Sequence, residues 1–242
     1  MKVKLVIFCS LFLALIQLNP GFCAENSFVH HESIEEINKK FKDPNLNIKR
    51  FIQRFEADDR EVFIYKENII EQLKIKPGSY IADVGTGTGI FIEGLAKATG
   101  PNGWLYAVDI SPAFLNHSRK LAEVKEINNI SFVLNTESSV CLPPQSVDLI
   151  FLCNTYHHMT EIDSTMKSIY AALKPGGRFV IIDFDKKPDS REWIQKHIKK
   201  DVKSVRKELE SLKFECVDSI ALKELTENYF LIFKKNKLKH EQ

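Results

Sequence analysis

An apolar run, Tyr80-Ile81-Ala82, passes directly into Asp83-Val84-Gly85-Thr86-Gly87-Thr88-Gly89 and then into a segment with helical spacing. Three glycines at a strand-to-helix junction put residues without a Cβ where the chain turns sharply and meets a ligand closely. Amides opening the next helix, near Thr88, would face that ligand and offer a seat for an anion. A second apolar run, Trp104 to Val108, ends in Asp109, twenty residues after Gly89. A carboxylate at that point accepts two hydrogen bonds from a ribose diol. Ile90 stands where a dinucleotide loop of G-x-G-x-x-G spacing would have its last glycine, which argues against a pyrophosphate ligand. No lysine follows the glycines, so the phosphate-gripping G-x-x-x-x-G-K-[ST] loop is excluded. Asp83 adds a negative charge suited to an ammonium or sulfonium rather than to a phosphate.

From this junction onward strands and helices alternate. Strands are expected near 79–84, 104–109, 130–135, 147–153, 178–184, 214–221 and 228–234. Helices are expected near 88–99, 111–127, 161–173, 190–198 and 201–212. Alternation of this kind gives an α/β fold, a mainly parallel sheet covered on both faces. Upstream, Val62, Tyr65, Ile69 and Leu73 repeat at helical spacing within 51–73, and Pro77-Gly78 ends that helix. Ser33-Ile34-Glu35-Glu36 has the spacing of a capping box, with Ile34, Ile37 and Phe41 on one helical face.

Four motifs in order resemble those of the class I S-adenosylmethionine-dependent methyltransferases, above all the small-molecule type that includes quinone-biosynthesis enzymes. They are Asp83–Gly89; Tyr106-Ala107-Val108-Asp109; Leu142-Pro143 followed by Ser146-Val147-Asp148-Leu149-Ile150; and Leu173-Lys174-Pro175-Gly176-Gly177-Arg178-Phe179. The resemblance runs from about Phe51 to Lys234. It implies a Rossmann-like doubly wound seven-stranded sheet of order 3-2-1-4-5-7-6, its last strand antiparallel and helices on both faces. It also implies S-adenosyl-L-methionine as cofactor and a small-molecule acceptor.

On that reading Gly85, Thr86, Gly87, Thr88 and Gly89 take the methionine part of the cofactor, Asp83 its ammonium and Asp109 its ribose. Ile110 flanks the adenine, Asn135 and Thr136 contact it, and Asn154 begins the loop under the sulfonium. Where the family often carries an acid after strand three, this chain has Asn135, whose amide oxygen can still accept. Adjacent His157 and His158 cannot share one extended face, so one would point into the crevice as a general base. The other reading is that they cap or pack against the helix starting near Thr160. No second His or Cys pair at ligand spacing indicates a metal. Asp183 and Asp185 close strand five, as substrate-orienting groups or helix caps. Glu56, Arg60 and Tyr65 lie in a region resembling the family's lid. Thr155 and Tyr156 replace the prolines of the N-P-P-[YF] loop of many amino-nitrogen methyltransferases, which favours oxygen or carbon as the methylated atom.

Residues 1–24 resemble a secretory signal: Lys2 and Lys4, an apolar stretch from Leu5 to Leu18, then Asn19-Pro20-Gly21. Fourteen residues fall short of the ~20 that span a bilayer as a helix. Export is expected, the alternative being a membrane anchor with the domain facing the cytosol. Residues 25–50 read as a polar linker with a short helix, 51–234 as the methyltransferase domain and 235–242 as a lysine-rich, solvated tail. Without the two leader lysines the chain carries 32 basic and 32 acidic residues, so no nucleic-acid footprint is expected. Cys141, Cys153 and Cys216 remain beyond the leader, an odd set that reads as buried free thiols. The donor cofactor is made in the cytosol. An exported, catalytically inactive cofactor-binding module is therefore the alternative to an active enzyme.

Overall fold

A computed structural model describes residues 33–235; the expected signal, residues 1–24, lies outside the described residues. Seven strands form one sheet: β1 (Tyr80–Val84), β2 (Trp104–Asp109), β3 (Ile130–Leu134), β4 (Val147–Cys153), β5 (Leu173–Phe184), β6 (Phe214–Ser219) and β7 (Asn228–Lys235). Their order is β3-β2-β1-β4-β5-β7-β6, and β7 is antiparallel to both neighbours while the other pairs are parallel. The order and the antiparallel last strand are those expected. β5 is longer than its 178–184 expectation because Leu173 already pairs with Val147, before an irregularity restores register at Leu149 and Arg178.

The central strands alternate between two cores. Ile150 and Leu152 of β4 join one cluster with Ala82, Val108, Phe179 and Ile181. Leu149 and Phe151 join the other with Ile81, Leu105, Val180 and Ile182. A strand buried on both faces needs apolar residues at every position, which is why these segments read as continuous apolar runs. The covering helices are α1 (Ile34–Phe41), α2 (Ile48–Phe55), α3 (Glu61–Ile64), α4 (Lys66–Gln72), α5 (Ile92–Thr99), α6 (Pro112–Val124), α7 (Ile162–Ala172), α8 (Glu192–His197) and α9 (Val202–Ser211). Among the described residues no helix is long and apolar enough to cross a membrane.

Three expectations change. The helical spacing of 51–73 is carried by three short helices, because the chain breaks at Glu56–Arg60 between α2 and α3. α5 begins at Ile92, not near 88. Gly87 and Gly89 sit at φ +53° and +86°, a left-handed conformation that a right-handed helix cannot continue through. Lys235, expected at the head of a solvated tail, lies in β7. Lys235 is buried, with its Nζ donating to Leu173 O at 2.7 Å. The capping box is present: Ser33 Oγ accepts from Glu36 N, and Ser33 N donates to the Glu36 carboxylate. The thiols are free, but Cys141 is exposed and Cys216 half-buried.

Candidate functional site

β1, β2 and β4 end together, and a cavity of about 320 Å³ opens beyond their C-terminal ends. β1 is the strand at which the sheet order reverses, so its end lies beside the crevice where open α/β sheets take ligands. Asp83, Gly85, Thr86, Gly87 and Thr88 line the cavity from β1 and its loop, and Asp109 and Ile110 from the end of β2. Asn135 and Thr136 line it from after β3, and Asn154, His157 and His158 from after β4. Gly89 is the exception among the expected residues. A Cβ there would meet Ser118, Leu121 and Ile92, so this glycine lets the loop pack on α6 instead.

The glycine loop is tied to β2. Gly85 N and Thr86 N donate to Val108 O, at 2.8 and 3.1 Å, and Gly87 N donates to Asp109 Oδ2 at 2.8 Å. Gly89 N is also taken, by Thr86 O. Two amides of the expected anion seat near Thr88, those of Gly87 and Gly89, are therefore already taken, and α5 starts later, at Ile92. Asp109 Oδ1 accepts from Ser111 N at 2.8 Å. Each carboxylate oxygen keeps a second lone pair for a diol.

Burial pushes the Asp83 carboxyl up to about 7, opposed by the Thr86 hydroxyl bonded to it at 2.8 Å and reinforced by Asp109. Burial likewise raises Asp109 to about 6, with the amides of Gly87, Ser111 and Ile110 pulling back. A buried carboxyl that favours its neutral form alone is well matched to a cation, which would restore the charge.

His157 and His158 lie on a 3-10 turn, Tyr156–His158, after β4. The turn brings both rings to the cavity, 4.1 Å apart between centroids, so the one-in, one-out expectation fails; it assumed extended backbone. His157 Nδ1 lies 2.7 Å from Asp183 Oδ1, and its main-chain N donates to Asp183 Oδ2 at 3.1 Å. Asp183 therefore orients a histidine. Asp185 accepts from Val202 N at the start of α9 and so acts as a cap. Burial, then His157, His197 and Arg54, hold His158 well below the ordinary imidazole range. His197, from α8, lines the same wall. Sequence spacing gives no sign of this third imidazole, because His197 reaches His157 and His158 only through the fold.

Five buried side-chain atoms among the described residues lack a hydrogen-bond partner: Thr88 Oγ1, Asn135 Oδ1, Asn154 Nδ2, His158 Nδ1 and Thr160 Oγ1. All five residues line this one cavity. Each such group costs about 1–3 kcal/mol unless something bonds to it. Asn135 gives its Nδ2 to Thr136 O, and Asn228 donates to Asn154 Oδ1, so the unmatched acceptor and donor are held in place. The unmatched acceptor after β3 and the unmatched donor after β4 suit a ligand that carries both kinds of hydrogen-bonding group.

The N-terminal helices supply a wall of the cavity, of which the sequence suggested only the lid-like stretch around Glu56, Arg60 and Tyr65. Phe41, Phe51 and Phe55 pack with Phe114 of α6 at ring separations of 5.4–6.1 Å. Phe55 stands 3.8 Å from where a Gly87 Cβ would be. Arg60 lies over Phe55 and Phe184, 5.6 Å from each ring, and lines the cavity; Glu56 and Tyr65 do not. The Phe51–Phe55 pair, four residues apart on one helical face, was the available signal.

The sheet order, the crevice and the ring of unmatched polar groups define a nucleoside-binding methyltransferase fold. The family model for the methyltransferase domain matches residues 75–240, and the chain belongs to that family, in the class that depends on S-adenosylmethionine. S-adenosylmethionine is the cofactor that goes with this family and fold. The ubiquinone/menaquinone biosynthesis C-methyltransferase UbiE of Hydrogenovibrio crunogenus is 27% identical over 51% of this chain and 49% of its own length. That of a Marinomonas species is 28% identical over 52% and 51%. The chain thus spans about half the length of the curated relatives it matches. An S-adenosylmethionine-dependent methyltransferase from Aquifex aeolicus shares the fold with TM-score 0.67 and 22% identity, covering 80% of this chain and 98% of that one. A possible exported protein of Bordetella parapertussis shares it with TM-score 0.59 and 18% identity, covering 73% and 68%.

Proposed function

We propose that the chain methylates a small molecule, at oxygen or carbon, in the cavity beyond β1, β2 and β4, and that residues 1–24 export it. One observation carries the site assignment: every unmatched buried side-chain group among the described residues lines that cavity. When bound, S-adenosylmethionine supplies a methyl group on a sulfonium for in-line displacement. The protein holds donor and acceptor collinear and excludes water.

In this reading Asp83 pairs with the ammonium, Asp109 with the ribose hydroxyls and Asn135 Oδ1 with the adenine amino group. Gly85 and Gly87 leave room for the methionine backbone, and Thr88, Ile110, Thr136 and Asn154 complete the cofactor side. His157, with Nδ1 on Asp183, presents Nε2 as the base that removes an acceptor proton. The similarity to C-methyltransferases supports carbon, and the departure of Thr155-Tyr156 from N-P-P-[YF] supports a non-nitrogen acceptor.

Titration calorimetry with S-adenosylhomocysteine and with NAD, side by side, tests the cofactor assignment. Heat is expected from the first alone, and Asp109→Ala should weaken it at least tenfold. No heat from S-adenosylhomocysteine with a folded chain rejects the reading. Binding without methylation of any acceptor favours the inactive module. Fractionation of a tagged chain with sequencing of its mature N-terminus tests export.

A further inference from the structure

Three histidines from two separate stretches of chain meet at the wall of the cavity. His157 and His158 come from the turn after β4, and His197 is the last residue of α8. Each offers a ring nitrogen within 4.8 Å of the nitrogens offered by the other two. The ring centroids are 4.1, 5.3 and 5.5 Å apart, and the planes cross at 42°, 77° and 61°. The rings are therefore not stacked on one another but turned about a common point.

Two further observations point to a ligand. His158 Nδ1 is buried with no hydrogen-bond partner, and a neutral ring nitrogen with a free lone pair is a metal donor. Asp183 takes His157 Nδ1 at 2.7 Å and is itself held by the main-chain N of Phe184 at 2.8 Å. That leaves Nε2 as the His157 nitrogen not taken by Asp183, the carboxylate–histidine arrangement that orients metal ligands.

We propose that His157, His158 and His197 bind a divalent transition metal of the zinc class, with a fourth coordination position open to the cavity. Three imidazoles and an open position are the donor set of a zinc site that takes a water or substrate oxygen. Metal–nitrogen bonds of about 2.0–2.1 Å would draw the three nitrogens to roughly 3.4 Å from one another. Rotation of the side chains about χ1 and χ2 supplies that contraction. With His157 Nε2 on the metal that ring no longer serves as the base; the open position would take a hydroxyl or carbonyl oxygen of the acceptor, orienting it and acidifying a bound hydroxyl in the base's place. This last role rests on the methyltransferase reading; metal binding does not.

The test uses the full chain, stripped with a chelator and titrated with Zn²⁺ alone by calorimetry, and with Co²⁺ by visible absorption. One metal per chain is expected, with Co²⁺ giving the intense d–d bands of a four-coordinate site. His197→Ala and His197→Asn should each abolish uptake or weaken it at least a hundredfold. Asp183→Asn should weaken it about 10–100-fold, the range for outer-shell partners. His117→Ala, on α6, should leave it unchanged. S-adenosylhomocysteine titration of every variant reports whether the fold and cofactor site survive.

Absence of uptake by a chain that binds S-adenosylhomocysteine overturns the proposal, and so does uptake that persists in both His197 variants. Zinc binding by a chain that ignores S-adenosylhomocysteine would instead overturn the cofactor assignment.

Discussion

Gly85 stands at φ +79°, and a Cβ built there would come within 2.2 Å of Thr155 Oγ1 and 2.4 Å of its Cγ2. The threonine cannot readily swing away, because its hydroxyl donates to Cys153 O at 3.0 Å. Gly85→Ala therefore combines a steric conflict with left-handed strain of about 1–2 kcal/mol. S-adenosylhomocysteine affinity is expected to fall at least tenfold in that variant. Adding Thr155→Gly should restore part of the loss and not all of it, since the backbone strain remains. Unchanged affinity in Gly85→Ala would mean that the loop after β4 does not gauge the glycine turn. Gly85 and Asp109 were legible from sequence because turn, strand end and carboxylate are contiguous. The histidine cluster was not. His197 reaches His157 and His158 only through the packing of α8 against the end of β5, where Phe184 and Trp193 make an edge contact at 4.6 Å.

Among the elements, α1 and α2 differ most from the rest. α2 has no buried residue, and its main purchase on the body is the contact of Phe51 and Phe55 with Phe114. Asn38 adds one bond, its Nδ2 donating to His158 O at 2.8 Å. Segments with so little burial open locally at low free energy, whereas the central strands open only with the whole molecule. Amides of 34–55 are expected to exchange with solvent orders of magnitude faster than those of β1 and β4. S-adenosylhomocysteine should slow them, because these helices wall its cavity. Hydrogen exchange followed by mass spectrometry, with and without the ligand, reads this directly; equal protection of α2 and β4 in the free chain would contradict it. The central β-strands were readable because double-sided burial writes an unbroken apolar run. The wall was readable only in part: 25–50 reads as a polar linker, and the helical spacing of 51–73 gives no sign of the break at Glu56–Arg60.

At the scale of the molecule, the fold places a carboxyl at the centre of its sheet, and among the described residues no cation is paired with it. Asp83 ends β1 between β2 and β4, is 2% exposed, and has a hydroxyl and another carboxyl as neighbours. Its carboxyl titrates near 7 in the folded chain, against about 3.9 when unfolded. Between those values the folded chain holds a proton that the unfolded chain has released. Unfolding then releases protons, so this group's contribution to stability falls as pH rises from about 4 to 7. Asp109, raised to about 6, adds in the same direction over the lower part of that window. A ligand ammonium beside Asp83 reverses the preference by favouring the carboxylate. The thermal stabilisation given by S-adenosylhomocysteine is therefore expected to grow between pH 5 and about 7 and to level off above it. Asp83→Asn carries no titrating group, so it should be more stable than the parent near pH 8 in the free state. Its ligand-induced rise in Tm should be smaller and should vary less with pH, keeping only what Asp109 contributes near pH 6. Scanning calorimetry of both chains, with and without ligand, separates the two effects. A parent whose ligand-induced shift is flat from pH 5 to 8 would show that Asp83 meets no cation in the complex.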